Sequence, residues 1–159
     1  MLAVRLSESE AKARLASGDH GVLCTLHPAR GVDAVPVVYV MDRGWVGVPV
    51  DLVKPKGSTR LQREHNLRAD PRATLLIEHW DRADWARLWW VRAELRWQDD
   101  ADVGCADGLA ARLAGSFAQY RDRPFERILV FRVLAAVGWS GSGASTGPAA
   151  ASGPGPVLP

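Results

Sequence analysis

The chain has 159 residues and a net charge of +2 from 20 lysines and arginines against 18 aspartates and glutamates. That is long enough for one domain with a proper core and too nearly neutral for a protein whose main partner is nucleic acid. Two cysteines, Cys24 and Cys105, are too few for a disulfide framework and lack metal-ligand spacing, no apolar run approaches the ~20 residues of a membrane helix, and the opening M-L-A-V-R-L-S-E-S-E turns charged too early for a signal peptide. The expectation is a cytoplasmic protein with no membrane partner.

Ser7-Glu8-Ser9-Glu10 reads as a capping box and predicts a short helix to about Ser17, ended by Gly18. The period then becomes strand-like. G-V-L-C-T-L-H at 21–27, A-V-P-V-V-Y-V-M at 34–41 and W-V-G-V-P-V at 45–50 are separated by a Pro28/Gly31 turn and an Asp42-Arg43-Gly44 turn, which predicts an antiparallel meander. From Thr59, T-R-L-Q-R-E-H-N-L-R-A spaces Leu61 and Leu67 in a near-helical way until Asp70-Pro71 stops it. Two long strands follow, at 73–80 and 87–97, then a helix around 102–120 and a last strand at 128–137.

These elements predict a mainly β domain over residues 1–140, a six-stranded antiparallel split β-barrel with peripheral helices. Residues 141–159, rich in Gly, Ala, Ser and Pro, offer little to bury and read as a disordered tail.

The segment D-L-V-K-P-K-G-S-T-R at 51–60 carries no acidic side chain after Asp51. Lys54, Lys56 and Arg60 surround a Gly57-Ser58-Thr59 turn at the start of a helix, where backbone N–H groups and the helix dipole add to the charge, a combination suited to phosphate. Arg63 and Asn66 extend the same face. The plain alternative is a solvated basic loop. In the strand at 87–97, alternation puts Trp89, Val91, Ala93, Leu95 and Trp97 on the core face and Leu88, Trp90, Arg92, Glu94 and Arg96 on the other. Trp90 on that polar face reads as part of a subunit interface or ligand wall, or as ordinary barrel-end packing.

No nucleophile elbow, zinc spacing or dinucleotide fingerprint is present, so no residue is singled out as catalytic and no metal site is expected. If the chain is an enzyme, a bound cofactor does the chemistry. Aromatics are not interleaved with the cations, which disfavours a nucleic-acid binder.

The order of capping helix, V-P-V-V-Y-V, the K-P-K-G-S-T-R loop, N-L-R-A-D-P-R-A-T-L-L, L-W-W-V-R and V-L-A-A-V-G-W resembles the pyridoxamine 5'-phosphate oxidase-like split β-barrel superfamily over about residues 5–140. More narrowly it resembles the flavin and deazaflavin-dependent (PPOX-class) oxidoreductases. The resemblance implies a homodimer with cofactor sites at the interface. It also implies a phosphate held by Lys54, Lys56, Ser58, Thr59 and Arg60, with Arg63 and Asn66 as additions. Val37 and Val50 would lie beside the ring, and Trp90 near the dimer seam. Its implied activity is hydride transfer between coenzyme F420 and a small unsaturated organic acceptor. An FMN-dependent oxidase or reductase, and a non-catalytic flavin- or haem-binding module, are the alternatives.

Overall fold

The computed structural model describes residues 4–51 and 61–142. The strands are β1 (Val4–Arg5), β2 (His20–His27), β3 (Gly31–Val38), β4 (Val40–Asp42), β5 (Trp45–Asp51), β6 (Arg72–His79), β7 (Trp89–Trp97) and β8 (Phe125–Ser140). The helices are α1 (Glu8–Ser17), α2 (Gln62–Ala69) and α3 (Val103–Ser116), with 3-10 turns at Trp85–Arg87 and Ala118–Tyr120. Among the described residues no helix is long and apolar enough to cross a membrane.

The sheet is antiparallel throughout and runs β3-β2-β6-β7-β8-β5-β4, with β1 added against the end of β8. It curls into a half-barrel. The expected six strands are therefore corrected to seven on the main path plus the two-residue β1. The extra strand arises at Tyr39, where the apolar run 34–41 breaks into β3 and β4. Tyr39 is fully buried, its amide donates to the Asp19 carbonyl (3.0 Å) and its hydroxyl donates to the Leu15 carbonyl (2.6 Å). Those two bonds take Tyr39 out of the ladder and pin it to the end of α1. The last strand also runs longer than 128–137, because it bends across the sheet and pairs first with β5 and then with β7.

Alternation sorts the two faces as the sequence implies. Val91, Ala93 and Leu95 of β7 join Leu23, Leu75, Ile77, Val46, Val48, Val50 and Phe131 in one core inside the curl. The capping box forms as read: Ser7 Oγ accepts the Glu10 amide at 3.2 Å and Glu10 accepts the Ser7 amide at 2.8 Å. Helix α1 then buries Ala11 and Leu15 against the barrel end.

Helix α3 covers the outside of β4, β5 and the first half of β8 through a second cluster of Val40, Leu109, Leu113 and Val130. Gly47 makes that approach possible, since a Cβ there would lie 3.0 Å from Leu109 Cβ and 3.2 Å from Ile128 Cγ2. Across β2, β3, β6 and β7 the outer face carries no helix of the described chain. There Val32 is 61% exposed and Leu134 53%, Leu134 being the extra residue of a β-bulge opposite Glu94 and Leu95.

Candidate functional site

The barrel is split where β3, at one end of the strand order, faces β5, near the other. A cavity of about 520 Å³ opens there, within the ~300–1,000 Å³ typical of small-molecule sites. Val37 and Val38 of β3, Val48 and Pro49 of β5 and Leu61 give it aliphatic walls, and His20 and Gly21 at the start of β2 complete the lining. Gly21 keeps the β2 wall close to β6, because a Cβ there would lie 2.5 Å from the Leu76 carbonyl oxygen.

Three polar side chains from three elements close one side of this cavity: Asp51 at the end of β5, Arg63 in the first turn of α2 and Tyr120 in the 3-10 turn before β8. The β5–β8 register shifts between Val50 and Asp51, a bulge that re-aims the Asp51 side chain relative to the alternation of Val46, Val48 and Val50. Tyr120 is held edge-on between Phe117 and Phe125, with centroids 5.8 and 5.9 Å away. Burial, and then its hydrogen bond to the Asp51 carboxylate and the charge of that group, push its hydroxyl up to about 12, so it keeps its proton and donates it to Asp51.

Arg63 is the unusual member. Its Nε is buried with no hydrogen-bond partner, and Nη2 reaches only the Pro49 carbonyl at 3.5 Å. Burial lowers its pKa, with the charges of Glu64 and Asp51 working the other way. A buried guanidinium nitrogen without an acceptor is costly, so this wall is shaped for a ligand that supplies one.

The residues singled out in the sequence divide into three groups. Val37 and Arg63 line the cavity. Lys54, Lys56, Ser58, Thr59 and Arg60 lie outside the described residues. Val50, Asn66 and Trp90 lie elsewhere: Val50 is 1% exposed in the core, and Trp90 is half-buried on the outer face between Glu78 and Trp139. Asn66 is fully buried. Its Nδ2 donates to Thr25 Oγ1 (3.0 Å) and Asp33 Oδ2 (2.8 Å), and its Oδ1 accepts from Gln62 (3.0 Å), which commits the amide to joining α2 to β2 and β3. Asp51 and Tyr120 carry no local signal in the sequence, since only the fold brings them to Arg63.

Other hollows carry less. A groove of about 380 Å³ on the outer face passes Cys24, Thr74, Arg92, Glu94 and Leu134 and has no unsatisfied buried atom. The polar hollow by Glu64, Arg68 and Glu126 is closed by its own ion pairs, Arg127 with Glu64 (2.6 Å) and Glu126 (2.9 Å) and Arg68 with Asp99 (3.4 Å). Burial raises the pKa of both cysteine thiols, so neither is activated as a thiolate.

No protein-family model matches the chain, and no curated protein matches it. Solved structures do. The chain is similar to a FAD-binding protein from Mesorhizobium loti at 18% identity and a TM-score of 0.61, covering 87% of this chain and 98% of that one. A haem-binding protein from Mycobacterium smegmatis matches at 21% identity and a TM-score of 0.64, over 87% of this chain and 56% of that one. A candidate pyridoxamine 5'-phosphate oxidase from Corynebacterium glutamicum matches at 14% identity and a TM-score of 0.54, over 87% and 97%. At these identities the likeness shows the fold, and the split half-barrel is the architecture these proteins share with this chain.

Proposed function

We propose that this chain is a flavin-class oxidoreductase that holds the ring system of a phosphate-bearing tricyclic cofactor in the cavity between β3 and β5. The observation that carries the reading is Arg63, whose buried Nε meets no acceptor on the wall of a cavity with several aliphatic walls. Val37, Val48 and Leu61 offer an apolar bed for a flat ring, and Arg63 offers a donor to its polar rim. When bound, such a cofactor supplies hydride transfer to a small unsaturated organic acceptor, while the protein supplies position, exclusion of water and fixed charge. Lys54, Lys56, Ser58, Thr59 and Arg60 are the proposed phosphate contacts.

Two cofactors compete within this reading. The names of FAD-binding structures with the same fold favour a flavin such as FMN. The sequence resemblance favours coenzyme F420. Titration of the full chain with FMN, with the deazaflavin and with haem, followed by fluorescence and absorbance, separates them. We expect one tricyclic cofactor to bind and haem not to. Lys56→Ala and Arg60→Ala should each weaken that binding by roughly tenfold or more, the ~1.5–3 kcal/mol of a charge-assisted hydrogen bond. Absence of binding by both FMN and the deazaflavin overturns the proposal, and haem binding alone replaces it with a haem module.

A homodimer belongs to the same proposal. The outer face bears Val32, Leu76, Trp90 and Leu134 among residues of both charges, including Arg92, Glu94 and Arg96, a pattern that a two-fold axis can make self-complementary. Light scattering at micromolar concentration should give twice the monomer mass, and Leu134→Arg should halve it. A monomeric parent chain would remove this part of the proposal.

A further inference from the structure

We propose that His20 is the proton-transfer residue of the cavity between β3 and β5, its Nε2 giving a proton to the organic acceptor while Asp19 holds its Nδ1. The inference rests on the hydride-transfer reading above and assigns the proton of that reaction.

Hydride transfer alone does not balance. An unsaturated molecule that takes hydride from the reduced cofactor at one end of its double bond is left with an electron pair and a negative charge at the other, and a proton must reach that atom. Among the described polar side chains that line the cavity, an arginine such as Arg63 does not give up its protons, and the Tyr120 proton is already shared in a hydrogen bond with the Asp51 carboxylate. Imidazole is the side chain whose ordinary titration falls near neutrality, and His20 brings one to the cavity wall.

Local structure decides which nitrogen is offered. His20 Nδ1 lies 2.5 Å from Asp19 Oδ1, which makes Nδ1 the donor to the carboxylate and leaves Nε2 for a ligand. The pair stands on fixed backbone. The Asp19 carbonyl accepts the Tyr39 amide at 3.0 Å, and His20 is opposite Val38, itself a lining residue, across the β2–β3 ladder. The His20 side chain is 80% exposed, so its ring stands between cavity and water. In the proton step the Nε2–H bond of the imidazolium breaks, its electron pair stays on nitrogen and the proton goes to the acceptor. Water at the mouth then returns a proton to the neutral ring, a path that a buried histidine would lack.

The test uses the full chain loaded with FMN or the deazaflavin, whichever binds, and cyclohexenone as the acceptor probe. The ring nitrogen NMR signals of His20, assigned by their loss in His20→Gln, should shift on adding cofactor more than those of His27 at the far end of β2. With reduced cofactor, single-turnover reduction of the enone should fall about a hundredfold in His20→Gln, the lower end of general acid–base catalysis because water reaches the rim. Cofactor affinity and melting temperature should hardly change, since an exposed ion pair contributes little to the fold. Imidazole in the buffer should restore part of the rate to His20→Ala. Asp19→Asn should turn the single tautomer of the neutral His20 ring into a mixture, read from the ring nitrogen shifts, and slow the reaction severalfold, and Asp19→Glu should recover most of the rate. A His20 ring that does not respond to cofactor, equal rates in the parent and His20→Gln, a His20→Ala variant that imidazole does not rescue, or a cofactor-bound parent that leaves the enone unreduced overturns the proton assignment and leaves the tricyclic-cofactor site standing. Failure of the parent to bind either cofactor overturns both.

Discussion

Arg63 and Glu64 are consecutive in the first turn of α2, yet one looks into an unfinished polar cluster and the other into a finished one. Glu64 is 5% exposed and every bond it can use locally is made: Arg127 donates Nε (2.6 Å) and Nη2 (2.7 Å), and the Leu61 amide donates at 2.9 Å. Two residues on, Asn66 has likewise used both its donors and its acceptor. Arg63 has an orphaned Nε on the cavity wall. One short helix thus carries two kinds of buried polar residue, those that fasten it to the barrel and one that faces a ligand space. Burial alone does not tell them apart, whereas satisfaction of hydrogen bonds does.

The comparison breaks most visibly at the fastening side. Glu64→Ala strands Arg127 and the Leu61 amide, and removing one partner of a buried ion pair costs about 3–5 kcal/mol. The lower end is expected because Arg127 keeps Glu126 at 2.9 Å. Acid should expose the same pair. Burial alone would raise the Glu64 pKa, but the hydrogen bonds from Arg127 and the Leu61 amide and the charges of Arg127 and Arg63 outweigh it, so the value in the fold lies below 4.5. A depressed carboxyl stabilises the fold above its unfolded pKa and loses that contribution as pH falls through the folded value. Melting temperature should therefore fall below about pH 4.5, and less steeply in Glu64→Gln. A Glu64→Ala variant as stable as its parent would show that the pair fastens nothing.

The next effect in size comes from Asn66→Leu, which leaves Thr25 Oγ1, on a residue 2% exposed, without its donor. Asp33 still holds Arg30 through bonds of 2.9 and 3.0 Å. One stranded buried hydroxyl costs about 1–3 kcal/mol, readable in urea denaturation. Cofactor affinity should stay within about twofold, since the amide does not line the cavity and only one hydrogen bond's worth of packing moves. Loss of affinity as large as that of Arg63 variants would place Asn66 with the ligand after all.

Much of this architecture was legible from the chain. Strict alternation in Trp89–Trp97 gave the correct inward face, and Ser7 with Glu10 gave the start of α1. The break at Tyr39 was not legible, because V-V-Y-V-M is a continuous apolar run and what interrupts it is a bond to Leu15, 24 residues away. The same limit governs the site. Arg63 and Asn66 are three apart and share a helical face on paper, but that face is divided between the cavity and the β2 wall, and only the docking of α2 decides where the division falls. Tyr120 falls at the end of a stretch that reads as one helix, whereas α3 ends at Ser116 and a separate 3-10 turn delivers the hydroxyl.

The smallest expected change in stability, and the sharpest contrast with Glu64, belongs to Arg63→Met. Methionine keeps the length and the apolar stem and deletes the guanidinium. The fold then loses one long contact, 3.5 Å to the Pro49 carbonyl, and the electrostatic support Arg63 gives Asp51. It also sheds a buried nitrogen whose desolvation is uncompensated, a relief of about 1–3 kcal/mol that offsets those losses. Asp51 keeps the facing Tyr120 hydroxyl. The melting temperature should stay within about 4 °C of the parent, the shift expected from 1 kcal/mol in a chain of this size, while FMN affinity falls by about tenfold or more because the ring edge loses a charged donor. The ratio of the two effects is the decisive readout. Glu64→Ala should move stability more than affinity per folded molecule, and Arg63→Met the reverse. If Arg63→Met instead melted many degrees lower and its folded fraction bound FMN as tightly as the parent, the guanidinium would be a fastening like its neighbour and the cavity would have no ligand-facing charge on α2.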